Sequence, residues 1–235
     1  MFSGFCRLFQ TRTGHLPAAI LAVVLVRSVV FQNKNTRFFL FFDVYVLILR
    51  LGITFMEKIK VLDKTFVPFI RHDELMGCID TIAEKINKDF EGATDVPIVL
   101  CILNGAIMFT GELMQRLNFP CQLVFTKMTS YVGTSTTGEV QQTMPLTASV
   151  KGRRVIIAED IIDTGLTIQA MRKILEKEGA AEVKVCTMLF KPEPYRTGEK
   201  IDYIGKEIPN RFILGFGLDY NELGRNLRDI YVLEA

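Results

Sequence analysis

The sequence predicts an α/β fold: a mostly parallel twisted sheet flanked by helices. Three observations lead there. Apolar runs of strand length recur along the chain, at Val96–Leu103, Val155–Ala158 and Val183–Phe190. The first two runs carry no polar side chain and the third only Lys184 and Thr187, as fits strands covered on both faces. Between them lie stretches with apolar residues at helical spacing. Strand and helix in alternation make a parallel sheet, because parallel neighbours need a crossover between them.

The elements follow in order from Met56. Ile79–Phe90 has helical periodicity and stops at Glu91-Gly92. Val96–Leu103 is a buried strand, followed by Asn104-Gly105-Ala106-Ile107. Met108–Leu117 is a helix, with Leu113 and Leu117 four apart, ended by Asn118-Phe119-Pro120. Cys121–Met128 is a strand, and Thr129–Gly138 is a polar loop with only Tyr131 and Val132 to bury. Val155–Ala158 is a strand, and Ile168–Glu178 is a helix closed by Gly179. Val183–Phe190 and Phe212–Leu218 are the last strands. In such sheets a ligand binds beyond the carboxyl ends of the strands.

Residues 1–55 differ from the rest. They hold nine of the 18 phenylalanines, and six Lys or Arg against Asp43 alone. Their apolar runs are broken by charge, at Arg27, Asp43 and Arg50, and fall short of the ~20 residues that cross a bilayer. The expectation is an N-terminal apolar extension outside the mature protein, with Met56 as the start and 56–235 as the domain. The alternative is a membrane or targeting appendage.

Composition excludes several functions. Beyond residue 55 the net charge is −3, with no basic stripe for nucleic acid. Five scattered cysteines, none at metal-ligand spacing, fit a reducing cytoplasm. Two histidines leave little for a histidine-based triad or a zinc centre.

The most informative stretch is 155–167, VIIAEDIIDTGLT. It sets three carboxylates, Glu159, Asp160 and Asp163, beside Thr164, Gly165 and Thr167, the residues of a phosphate-holding turn. The two sets divide the work. Free N–H groups at a helix N-terminus bind an anion, and Gly165 lets the backbone approach it. The amides of Asp163, Thr164, Gly165, Leu166 and Thr167 and the two threonine hydroxyls therefore face a phosphate. Glu159 and Asp160, at the end of the strand, accept hydrogen bonds from vicinal hydroxyls. Together they describe a ribose 5-phosphate. The nucleotide P-loop pattern is absent.

This stretch resembles the phosphoribosyl-pyrophosphate (PRPP) signature of type I phosphoribosyltransferases. From Met56 onward the chain is similar to the hypoxanthine (hypoxanthine-guanine) phosphoribosyltransferases, in LNGA at 103–106, SYVGTSTTGE at 130–139, the signature, and the long element from Phe190 to Leu233. The resemblance implies the family's fold, with a small hood and a flexible lid loop. It implies the reaction: PRPP and a 6-oxopurine give a nucleoside monophosphate and pyrophosphate, with Mg²⁺ as cofactor.

The resemblance also implies roles. Asp163 is the acid/base on the imidazole side of the purine; its alternative is an N-cap for the helix that follows. Lys191 donates to the 6-oxo oxygen, Phe212 stacks on the base, and Ile213 meets it through its backbone. Asp219 lies near the purine and holds Mg²⁺, with Glu159 and Asp160 as further candidate ligands. Asn104, Gly105 and Arg225 bind pyrophosphate, in a loop that often contains a non-proline cis peptide. Asn104 departs from the lysine that many members carry. Ser130 and Tyr131 belong to the lid, which keeps water from an oxocarbenium-like centre.

The expected partners are PRPP, a 6-oxopurine and further copies of the chain in a homodimer or homotetramer, with no nucleic acid and no membrane for 56–235. Two other functions stay open: a xanthine-preferring transferase, and a non-catalytic PRPP-sensing regulator that RNA binding would reveal.

Overall fold

The structure, a computed structural model, describes residues 57–130 and 140–234. The expectations for 1–55 and for the lid residue Tyr131 lie outside those residues. Ser130 is described only as the last residue of its strand.

Two sheets organise the described residues. The larger contains β3 (Ile98–Leu103), β4 (Gln122–Ser130), β5 (Val140–Met144), β6 (Arg154–Ile162), β7 (Glu182–Phe190) and β8 (Tyr203–Glu207), in the order β5-β4-β3-β6-β7-β8. All its pairs are parallel except β4 with β5. The smaller, antiparallel throughout, contains β1 (Ile59–Val61), β2 (Lys64–Ile70), β9 (Ile213–Leu214) and β10 (Ile230–Leu233), in the order β1-β2-β10-β9. The helices are α1 (His72–Asp89), α2 (Ile107–Met114) and α3 (Leu166–Lys177).

The large sheet separates two cores. Along β3, Val99 faces α1 and α2, while Ile98, Leu100 and Ile102 face α3. Along β6, Ile156 and Ala158 take the first face, Val155 and Ile157 the second. Each strand feeds both cores, so its sequence reads as an unbroken apolar run. At about 25 cal/mol per Å² of apolar area, this two-sided burial is the main favourable term of the fold.

The structure moves several expected boundaries. α1 begins at His72, seven residues before Ile79. Leu75 already belongs to its buried stripe with Ile79, Ile82 and Ile86, and Asp73 and Glu74 suit the positive end of the helix. β3 and α2 are shorter than expected, and β4 runs on to Ser130, so the loop opens two residues late. α3 starts at Leu166, behind a left-handed Gly165. β6 extends past Ala158 to Ile162, because β7 keeps pairing it as far as Ile162↔Phe190.

Phe212–Leu218 is not one strand. Only Ile213–Leu214 pairs in β9 before Gly215, Phe216 and Gly217, with φ of 108°, 49° and 98°, turn the chain away. The small sheet was otherwise invisible in the sequence. β2 contains Pro68, which argues against a regular strand and sits beside a register shift in β10. No helix among the described residues is long and apolar enough to cross a membrane.

Candidate active site

The order of strands fixes where the site opens. From β3 the chain proceeds to β4 on one side; from β6 it proceeds to β7 and β8 on the other. The switch point therefore lies between β3 and β6, where open α/β sheets bind ligands. β3 and β6 pair from Ile98↔Val155 to Cys101↔Ala158 and no further. Beyond that, Ile102 and Leu103 stay with β4, while Glu159 to Ile162 stay with β7. The strands part, and a crevice begins at Glu159.

One wall is the turn after β3. The Leu103–Asn104 peptide is cis, as the resemblance implied. Gly105 follows at the entrance to α2, so close to Asp160 that a Cβ there would overlap its carboxylate. Gly217 packs in turn on Gly105; a Cβ on Gly217 would overlap the Gly105 carbonyl oxygen. Arg225 closes the chain of contacts, donating to the Gly217 carbonyl at 2.8 Å and pairing with Asp219 at 2.6 Å. Its charge also reaches Asp160 and pulls that carboxyl down. Asn104, Gly105, Asp160, Asp219 and Arg225, spread over more than a hundred residues of sequence, thus form one cluster.

The acidic pair is short of counter-charge. Glu159 is buried, and its Oε2 has no hydrogen-bond partner. Burial, and then the neighbouring Asp160 charge, push its carboxyl well above the usual range. Burial lifts the Asp160 carboxyl to about 6, even though the Ile161 amide donates to it at 2.9 Å. A buried Glu159 beside a half-buried Asp160 calls for donors: the hydroxyls of a diol, or a cation.

The turn at 163–167 is held from outside. Thr164 accepts the Arg196 amide on its carbonyl at 3.3 Å. The ring of Tyr195 and the hydroxyl of Thr197 fill the place where a side chain at residue 165 would stand. Gly165, at φ 84°, is therefore required both for its conformation and for its bareness. It is also the N-cap residue, so Asp163 does not cap α3. Leu166 and Thr167 open the helix, with no acidic residue in its first turn. Their N–H groups are among those that a helix leaves without intrahelical partners.

Asp163 and Lys191 are brought together. Lys191 Nζ lies 2.9 Å from Asp163 Oδ1, and the lysine is 7% exposed. No spacing in the sequence links residues 163 and 191. The link is the register of β6 and β7: Ile162 pairs with Phe190, so the residues that leave both strands are neighbours. The Lys191 amide confirms the alignment by donating to the Ile162 carbonyl at 3.0 Å.

Phe212 is 45% exposed, so it belongs to the surface of the small sheet and not to its core. Phe66 and Tyr220 flank its ring, at centroid distances of 6.2 and 5.8 Å. The Phe212 carbonyl accepts the Leu233 amide at 2.9 Å and so points toward β10. Carbonyls alternate along a strand, so that of Ile213 points outward, at the free edge of β9. A polar lattice joins β4 and β5, in which Thr126 donates to the Met144 carbonyl at 2.8 Å and Gln142 donates to Thr126 at 2.9 Å.

Among the described residues, no three or more His, Cys, Asp or Glu side chains gather as a metal cage. A groove of about 410 Å³ lies elsewhere, between Phe90, Gly92, Asn118 and Phe119 at the amino ends of β3 and β4. It is at the wrong end of the sheet for this chemistry.

Comparison with known proteins agrees with this geometry. Residues 71–221 match the phosphoribosyl transferase domain family. A hypoxanthine-guanine phosphoribosyltransferase of Lactococcus lactis subsp. lactis is 40% identical over 177 residues, covering 74% of this chain and 95% of the relative. One from Streptococcus pneumoniae is 37% identical over 166 residues, covering 70% of this chain and 91% of the relative. The solved structure of a Trypanosoma cruzi hypoxanthine phosphoribosyl transferase superposes with a TM-score of 0.68 at 30% identity, over 75% of this chain and 95% of that one.

Proposed function

The chain belongs to the phosphoribosyltransferases, in the family of the hypoxanthine-guanine enzymes, and from that premise we propose that it transfers the 5-phosphoribosyl group of PRPP to hypoxanthine and guanine. The products are the nucleoside monophosphate and pyrophosphate, and the role is purine salvage. The observation that carries this reading is the crevice at the β3/β6 switch point. The turn at 163–167, an acidic pair only partly compensated by Arg225, and the Asp163–Lys191 pair lie there.

The residues divide the reaction as follows. Amides of Asp163 to Thr167 and the hydroxyls of Thr164 and Thr167 take the 5-phosphate. Glu159 and Asp160 accept hydrogen bonds from the ribose diol. Asn104, Gly105 and Arg225 face the pyrophosphate. Phe212 stacks on the purine, the outward carbonyl of Ile213 meets its edge, and Lys191 donates to the 6-oxo oxygen. An imidazole nitrogen of the purine bonds to the anomeric carbon as the pyrophosphate oxygen leaves with the bonding pair. Asp163 takes the proton that the imidazole ring releases, and its charge favours the cationic centre. Ser130 and Tyr131, in the lid, exclude water.

Mg²⁺ fits the donors present. Asp219, Glu159 and Asp160 offer hard oxygens, and Glu159 Oε2 lacks any other partner. Mg²⁺ commonly takes one or two carboxylates plus substrate phosphates instead of an all-protein cage. When bound, it neutralises charge on the departing pyrophosphate. Asp219 enters that role already oriented by Arg225 and by the Glu222 amide at 2.7 Å.

We read the domain as 56–235 and the protein as a cytoplasmic homodimer or homotetramer, with no nucleic-acid or membrane partner. The acidic balance beyond residue 55 supports this, as do Ile107, Met108 and Leu123, apolar and exposed, as surface that a second copy can cover. A spectrophotometric assay with PRPP, Mg²⁺ and each of hypoxanthine, guanine, xanthine and adenine tests the function. Turnover of the first two and not of adenine is expected; failure with both overturns the proposal. The same assay on a chain begun at Met56 tests the boundary, with equal turnover expected.

Lys191→Gln is expected to narrow the preference for hypoxanthine over adenine. Glutamine can accept as well as donate, so it no longer leaves adenine's amino group facing an unmatched buried donor. That mismatch costs about 1–3 kcal/mol, so the ratio of kcat/KM values should fall roughly tenfold. An unchanged ratio would assign the reading of that edge to another group.

A further inference from the structure

We propose that Tyr220 is a positioning residue for the purine, holding the ring of Phe212 in place and anchored through its hydroxyl to Asp63. The inference rests on the reading of Phe212 as the stacking partner of the base.

Three features fix Tyr220. The first is its backbone. The Tyr220 amide donates to the Leu223 carbonyl at 3.0 Å, and the Leu223 amide returns the bond at 3.1 Å. Between them Asn221 and Glu222 stand at φ 50° and 65°, the left-handed pair that a tight two-residue hairpin demands. The Glu222 amide also donates to Asp219, so the hairpin that presents Tyr220 orients the neighbouring carboxylate too.

The second feature is the ring. It stands edge-on to Phe212, with an interplanar angle of 85°. It also leans on Phe66 at 6.2 Å, and Phe66, on β2 beside β10, is fully buried and lies 6.2 Å from Phe212 itself. The three rings form a triangle with one member rooted in the core. Edge-to-face and tilted pairs at these distances are favourable geometries. They matter here because Phe212 is nearly half exposed and would otherwise be free to turn. Phe66 and Tyr220 restrict it and leave its exposed face for a base.

The third feature is the hydroxyl. It donates to Asp63 Oδ1 at 2.7 Å, on the turn that joins β1 to β2. Asp63 and Tyr220 are 157 residues apart in sequence. Lys64 adds a cation 5.5 Å from the centre of the Tyr220 ring. No element of the PRPP site depends on this hydroxyl, since the hairpin that orients Asp219 is made by backbone bonds.

Removing the hydroxyl should therefore loosen base binding alone, because pre-organisation of a contact surface shows in the affinity of the ligand it contacts. The experiment compares Tyr220→Phe, Asp63→Ala, their double variant, Tyr220→Leu and Phe212→Leu. KM for hypoxanthine, KM for PRPP, kcat and Tm are measured for each. Tyr220→Phe and Asp63→Ala are each expected to raise the hypoxanthine KM by roughly two- to tenfold, the usual worth of one hydrogen bond. PRPP KM and kcat should stay unchanged, and the double variant should match the singles, since both remove one link. Tyr220→Leu should exceed them; if it fails to fold, the two milder variants still decide. A raised purine KM in Phe212→Leu, with none in the Tyr220 and Asp63 variants, overturns the role of Tyr220 and leaves Phe212 in place. Parallel rises in both KM values also overturn it, by marking Tyr220 as structural only. No effect in Phe212→Leu overturns the stacking reading itself.

Discussion

Asp163→Asn is expected to lower kcat by at least tenfold while PRPP binding stays near wild type. Asparagine keeps the backbone amide and a side-chain acceptor. It loses the proton affinity and the charge. General acid/base residues contribute typically 10²- to 10⁴-fold, so tenfold is the lower bound. The variant also breaks the 2.9 Å ion pair with Lys191. Isothermal titration with PRPP and Mg²⁺, together with single-turnover kinetics, separates the two effects. A kcat near wild type would remove Asp163 from the chemistry. A collapse of PRPP affinity with kcat intact would make it a binding residue.

Gly105→Ala is expected to cost roughly a hundredfold in kcat/KM for PRPP, because a misplacement of about 1 Å in a reacting constellation can cost that much. The new methyl group would overlap the Asp160 carboxylate. Gly105 does not require glycine for a left-handed backbone, since its φ is not among the positive values. The damage is therefore steric and local. A double variant gives the check: Gly105→Ala with Asp160→Ala should be no worse than Asp160→Ala alone, because the clash has lost its partner. Near wild-type activity in Gly105→Ala, or full additivity in the double variant, would show that Asp160 tolerates displacement.

Several elements of this fold were legible in the sequence because they obey one local rule. β3, β6 and β7 are buried on both faces, and an apolar run records that directly. The turn into α3 was legible because glycine takes the left-handed backbone that Gly165 adopts there. The small sheet was hidden for the opposite reason. β2 carries a proline and pairs with β10 at the other end of the domain, and β9 is only two residues long. Leu75 stands four residues before Ile79, the spacing of one helix face, but Gly77, a poor helix former, lies between them and masks the start of α1. In the site, residue types were readable and contacts were not. The Asp163–Lys191 pair comes from strand register. The stack of Gly105, Asp160 and Gly217 comes from three backbones meeting with no Cβ between them. Neither leaves a spacing in the sequence. Gly217 was passed over for that reason, although its place two residues before Asp219 was the available signal.

The in-step pairing of β6 with β7 carries a consequence for how this protein can vary. Asp163 and Lys191 meet only because two strands end level, one residue after Ile162 and Phe190. A substitution inside β7 alters packing but leaves that level untouched. Deletion of a single codon within Val183–Phe190 slides every later residue by one, turns side chains to the opposite core and carries Lys191 off the crevice. In β7, then, what inheritance must conserve is the count of residues more than their kind.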